Sequence, residues 1–181
     1  MPARVPPIDP ARYTPDQQRA AAQIAGARGN VRGPFTIWLR NPKLAEHANQ
    51  LGIILRESRY VERRVFELVV LTVCRANSVQ YAWSAHVGAA ETAGLAPEVI
   101  AAIRDNRRPD FKRDDERVAY DVTTEIMQTR ELSQATYDRA VAQFGVEGTV
   151  DLISTVGYYN MVGIFLKSFD VSTPTGDRPL K

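Results

Sequence analysis

One cysteine, Cys74, is the only thiol in the chain, so neither an internal disulfide nor a CxxC redox couple can form. It closes the apolar run LVVLTVC, which suits a small buried hydrophobe better than a reactive thiol. Alternating apolar residues bounded by hairpin turns are missing throughout, so no sheet is expected. No apolar stretch is long and clean enough for a membrane span. The best, VDLISTVGYYNMVGIFL, carries Asp151, Ser154, Thr155 and Asn160 and reads as a buried helix. Neither sign of charge dominates: 23 basic and 21 acidic residues are well mixed, for a net charge of +2. The dense basic face of a nucleic-acid binder is therefore absent. The pairs Arg63-Arg64 and Arg107-Arg108 read as solvated side chains or small-anion contacts. His47 and His86, the only histidines, lie far apart and without clustered cysteine or aspartate, so no metal site is expected. MPARVPPIDPARYTPDQQ has no apolar signal-peptide core, which points to a cytoplasmic protein.

What is present is helix. With 181 residues, 44% hydrophobic and 24% charged, the chain suits one globular domain. A Pro-rich arm covers residues 1–12, a single helical domain 13–171 and a flexible tail 172–181. Thr14-Pro15-Asp16 opens a first helix that ends by Gly26 or Gly29. The segment NVRGPFTIWLRNP then reads as a loop whose aromatics lid a core or pocket, which makes Trp38 a candidate substrate contact. Leu44, Ala48, Leu51 and Leu55 mark a helix from Pro42 to about Arg56. Another spans about 61–76, with Val65, Leu68, Val69, Thr72 and Val73 on one face. Asn77 and Ser78 interrupt it and can cap a helix over about 79–93, closed by Gly94. PEVIAAIR is a short helix, Asp114 or Asp115 caps one reaching Thr129, and Ser133 begins one ending at Gly145. The last covers roughly 147–168. The sum is an all-α fold of seven or eight helices.

Glu67 stands inside the apolar stretch FELVVLTVC, where a carboxylate is costly to desolvate unless paired. The two-residue break at Asn77-Ser78 turns its helix sharply against the helix of His86, so the two side chains can meet across the groove. Trp83 and His86, three apart, are expected on one helix face. A carboxylate that orients an imidazole is the elementary unit of general acid–base catalysis. The bland reading beside it is a structural pair, or no contact at all.

RRVFELVVLTVCRANSVQYAWSAHVGAAETAGL resembles the core of the carboxymuconolactone decarboxylase family, which includes the alkylhydroperoxidase-D-like proteins. The peroxidase branch has a glutamate and then N-x-C-x-Y-C-x-x-x-H. Glu67, Asn77, Tyr81 and His86 match it, while Val79 and Ala82 stand where its two cysteines belong. The decarboxylase branch tends toward Y-E-W-x-x-H, matched at Tyr81, Trp83 and His86 but with Ala82 replacing the middle glutamate. Similarity extends over most of residues 33–171, including Tyr158-Tyr159-Asn160-Met161 in the last helix. The resemblance implies an alkylhydroperoxidase-D-like helical bundle and, without the cysteines, excludes thiol peroxidase chemistry. It implies cofactor-free decarboxylation of a small carboxylated lactone, or related proton chemistry in aromatic-compound catabolism, on an anionic substrate.

In that reaction His86 would donate the proton and Glu67 would fix its tautomer. Tyr81 could hold the oxyanion and Trp83 wall the pocket. An anion clamp would come from Arg75 first, or from Arg64, Arg32 or Arg40. His47 is a candidate second proton carrier, and Asn160 a buried hydrogen-bonding group near the site. The alternative class is a non-enzymatic small-molecule binder or oligomeric scaffold, which would seal Glu67 and His86 from solvent. The family resemblance further implies a homotrimer or homohexamer, with the Phe35/Trp38 segment and the Gly157/Gly163 helix with Tyr158-Tyr159 as apolar surfaces left uncovered by one chain.

Overall fold

The computed structural model describes residues 4–180; residues 1–3 of the arm and 181 of the tail lie outside it. Among the described residues the chain forms eight α-helices and no strand. Helix α1 (Pro15–Arg28) starts with a capping box between Thr14 and Gln17 and stops at Gly29. The segment expected to be a loop contains a single helical turn, α2 (Phe35–Trp38), whose apolar side chains are buried. There follow α3 (Pro42–Arg56), α4 (Arg63–Ala76), α5 (Gln80–Thr92) and α6 (Pro97–Arg104). Then come α7 (Asp114–Thr129) and α8 (Gln134–Ser168), the last broken at Gly145, where backbone angles leave the helical range.

Helix α4 is the axis of the bundle. Every residue from Arg64 to Cys74 is buried, because α3, α5, α6, α7 and α8 all pack against it. A helix covered on every side must be apolar all round, and this one is apart from Arg64, Glu67 and Thr72. Arg64 is not a surface residue: it binds Asp115 at 2.6 Å and also Glu116, and so ties α4 to the first turn of α7. Asp114 and Asp115 do not cap α7 with their side chains, since the N-cap position falls to Arg113.

The α4–α5 turn also departs from expectation. Asn77 and Ser78 give no side-chain cap; Val79 takes the N-cap position and its N–H bonds Cys74 O at 2.8 Å. Asn77 instead donates to Asn160 Oδ1 at 2.9 Å, pinning the turn to α8. The tail expected to be flexible is tied down at its end. Leu180 is 4% exposed, and its backbone exchanges two hydrogen bonds with the Gln80 side chain.

Two surfaces expected to be uncovered are not. Phe35, Trp38, Tyr158 and Tyr159 are all buried within one chain. Exposure falls elsewhere, on Leu44, Leu51 and Ile54 (62%) of α3 and on Val150, Ile153 and Ile164 (56%) of α8. Leu44 and Leu51 thus face solvent, unlike Ala48 and Leu55. The Tyr158 hydroxyl donates to Ala48 O, and Ser58 bonds Asp151, so α3 and α8 run antiparallel and their exposed residues stand at matching levels.

Candidate functional site

Glu67 is fully buried on α4, and its two oxygens are used separately. Oε1 accepts from Arg63, one helical turn earlier, at 2.8 Å from Nε and 2.6 Å from Nη2. Oε2 lies 2.7 Å from His86 Nδ1 on α5. The sharp α4–α5 turn thus brings the two side chains together as the sequence suggested. A carboxylate that already takes two guanidinium donors is left to accept from His86, which places the imidazole proton on Nδ1 and frees Nε2 toward the pocket. There it meets the Tyr159 hydroxyl of α8 at 3.3 Å, with the two rings edge-on. Burial, then the charge of Glu67, holds the Tyr159 phenol far above its usual range, so it remains a donor.

His86 and Tyr159 line a cavity of about 360 Å³. One part of its wall is cationic: Arg28, Arg32, Arg56 and Arg63 line it, and no aspartate or glutamate does. Arg63 is spoken for by Glu67, whereas Arg28, Arg32 and Arg56 form no ion pair among the described residues. Arg28 is fixed by Asn49 Oδ1, 2.7 Å from its Nε, and lies over the Phe35 ring at 4.5 Å. Burial first, and the charge of Arg56 next, pull its pKa below the ordinary guanidinium value. Gly52 makes this seat available, because a Cβ there would come within 2.6 Å of Tyr158 Oη and 2.8 Å of Arg28 Nη2. Tyr81 lines the cavity as expected. Gly33, at φ +60°, lies so close that a Cβ would be 2.7 Å from the Tyr81 ring.

Other expected site residues lie elsewhere. Trp83 is buried but does not line the cavity, because the arc of α5 facing it runs through Ala82, Ala85, His86 and Ala89. Trp38 packs behind the site against Phe35, Tyr158 and Phe165. His47 is exposed, and Asn160 serves the α4–α5 turn. Arg75 lines a separate cavity with Thr72 and Tyr120. Arg64 belongs to the α7 cluster, and Arg40 reaches Pro6 O from the surface. Of the four arginines expected to clamp an anion, the cavity keeps Arg32 alone.

Arg28, Arg56, Arg63 and Tyr159 were not apparent as site residues. The spacing of Arg63 and Glu67 in RRVFE is a readable signal; the others are assembled by contacts distant in sequence. Cys74 is buried, and burial followed by the charge of Glu67 pushes its thiol far up, so it is no thiolate nucleophile. Among the described residues no three His, Cys, Asp or Glu side chains cluster to hold a metal ion, and no helix is long and apolar enough to cross a membrane.

Comparison with curated protein sequences finds no match. Solved structures share the fold. A peroxidase-related protein with an alkylhydroperoxidase AhpD core from Ralstonia eutropha JMP134 superposes with a TM-score of 0.79 at 15% identity, over 96% of this chain and 93% of that one. A peroxidase-related protein from Silicibacter sp. TM1040 gives 0.74 at 17%, over 93% and 90%. The debrominase Bmp8, as a variant bound to 2,3,4-tribromopyrrole, gives 0.76 at 15%, over 97% and 94%. The carboxymuconolactone decarboxylase family model matches residues 42–125, the segment that contains both Glu67 and His86. Residues 42–125 thus match the carboxymuconolactone decarboxylase family, within a helical bundle of the alkylhydroperoxidase AhpD kind.

Proposed function

We propose that the protein is a cofactor-free, decarboxylase-like enzyme that moves a proton on a small carboxylated lactone or a related compound. The observation that carries this reading is the Glu67–His86 pair at the edge of an open cavity, with His86 18% exposed on it. A scaffold that had lost its chemistry would have no need to leave that imidazole accessible. Loss of CO2 from an unsaturated lactone pushes electrons into the conjugated carbonyl, and the dienolate is then protonated on carbon. Such a site needs a seat for an anion, donors for developing oxyanion charge, and a proton. Arg28, Arg32 and Arg56 supply the first, Tyr81 and Tyr159 the second, and His86 the third when it takes up a second proton on Nε2 and becomes the imidazolium that Glu67 supports. Val79 and Ala82 leave peroxide reduction without a nucleophile. The test is CO2 release from 4-carboxymuconolactone and from related lactone acids by the wild-type protein. Turnover of any of them is the expected result. None across the set would overturn the decarboxylase reading.

The same proposal includes self-assembly. The exposed apolar residues of α3 and α8 are the ones that a second copy of the chain would cover. Sedimentation is expected to show a homo-oligomer, and Ile164→Glu is expected to shift it toward monomer. A wild-type monomer at micromolar concentration would sink this part.

A further inference from the structure

The walls of the cavity are segregated by polarity. On one side are Arg28, Arg32 and Arg56, close enough that the charges of Arg56 and Arg32 each act on Arg28. Arg28 is held in place by Asn49 and Phe35, with its Nη2 sealed from solvent beside Gly52 and Tyr158. Three guanidiniums lining one cavity, with no aspartate or glutamate among its lining residues, are matched by a planar carboxylate that can take two parallel N–H bonds. Across from them the α5 face is made of alanines set around His86. Ala82, Ala85 and Ala89 of α5 face the cavity one and two turns apart, and Val162 and Leu166 of α8 line it as well. A second carboxylate placed there would be desolvated without a partner, which is costly.

We infer that the ligand of this cavity is an amphiphilic monocarboxylate, its head on Arg28, Arg32 and Arg56 and its apolar body along the alanine wall of α5. This rests on the reading of the same pocket as a proton-transfer site, and narrows the substrate from any small anion to one with a hydrocarbon side. An apolar body of roughly six to ten carbons suits a cavity at the small end of the range for ligand sites. His86 and Tyr159 would then act where head and body join.

Calorimetric titration with octanoate, octan-1-ol and succinate tests the assignment. Wild type is expected to bind octanoate about tenfold or more tightly than either of the others, since one lacks the charge and the other the apolar body. Arg28→Gln and Ala85→Asp should each weaken octanoate by about tenfold or more. Ala85 is exposed at the cavity rim and Arg32 is exposed on its loop, so Ala85→Asp and Arg32→Gln probe the two walls without disturbing the core. Succinate binding as tightly as octanoate, octan-1-ol matching octanoate, or no octanoate binding at all would each overturn the inference. His86→Ala should leave octanoate affinity within about threefold, because the head sits on the arginines. Octanoate selectivity without any lactone turnover would retain the ligand class and reject the decarboxylase reading; the reverse would do the opposite.

Discussion

Replacing Glu67 by glutamine is expected to lower turnover by about 10²–10⁴-fold, as far as removing the imidazole with His86→Ala does. The reason lies in the two faces of the Glu67 side chain. Arg63 offers only donors, so the single oxygen of a glutamine would turn toward it, and the amide nitrogen would face His86 Nδ1. Nδ1 must then accept instead of donate, the ring proton moves to Nε2, and the contact with the Tyr159 hydroxyl is reversed. The shape of the site is kept while its proton inventory is inverted. Steady-state rates on whichever lactone acid the wild type turns over provide the measurement, with octanoate titration as a control for an intact cavity. A Glu67→Gln enzyme at near wild-type rate would show that the pair is structural.

The largest effect on stability is expected at Arg64. Its side chain is buried against Asp115 and Glu116, so Arg64→Met removes the cation and leaves two carboxylates at the α4–α7 junction. Breaking a buried pair in this way costs about 3–5 kcal/mol, or roughly 6–20 °C in Tm for a chain of this length. Adding Asp115→Asn and Glu116→Gln to Arg64→Met should recover most of the loss, because the uncompensated charge is then gone. Differential scanning calorimetry of the three proteins decides it; a loss that persists in the triple variant would mean that packing, not charge, is at stake. The effect also depends on pH. Burial pushes the Asp115 carboxyl up, but its hydrogen bonds from Arg64 and Arg113 outweigh this and its folded-state pKa is lowered. Its contribution is therefore present above the unfolded carboxylate value, about 4, and is lost as pH falls through the lower folded value. The gap in Tm between wild type and Arg64→Met should be full at neutral pH and narrow below about pH 4.

Local rules made the helices legible. Pro15, Pro42 and Pro97 each open a helix at the first helical position, and Gly29 and Gly94 follow the ends of α1 and α5 at positive φ. The meeting of Glu67 and His86 was legible for a related reason: a connection as short as residues 77–79 leaves little freedom in how the helices turn. Where sequence reasoning stopped, the cause was distance along the chain. Arg28 and Arg56 close α1 and α3, where a basic residue is ordinary, and only packing against α8 shows that they face Tyr158 and Tyr159. Arg75 is near the turn and reads as a natural clamp, yet it lines a different cavity, with Thr72 and Tyr120. For Trp83 the error was in reading three residues as one face when the arc toward the cavity passes through Ala82, Ala85 and Ala89.

Arg63 and Arg64 are neighbours in sequence but work on different sides of α4, one holding Glu67 and the other the acids of α7. Successive helix positions differ by about 100°, so inserting or deleting one residue between Arg64 and Glu67 would misdirect both at once. Lineages carrying such a change would lose the catalytic carboxylate's support and the interhelical anchor in a single event. Descent in this part of the chain should therefore proceed by substitution, with gaps confined to the connecting segments. A library that randomises length across residues 60–76 should accordingly return folded clones only at the native spacing.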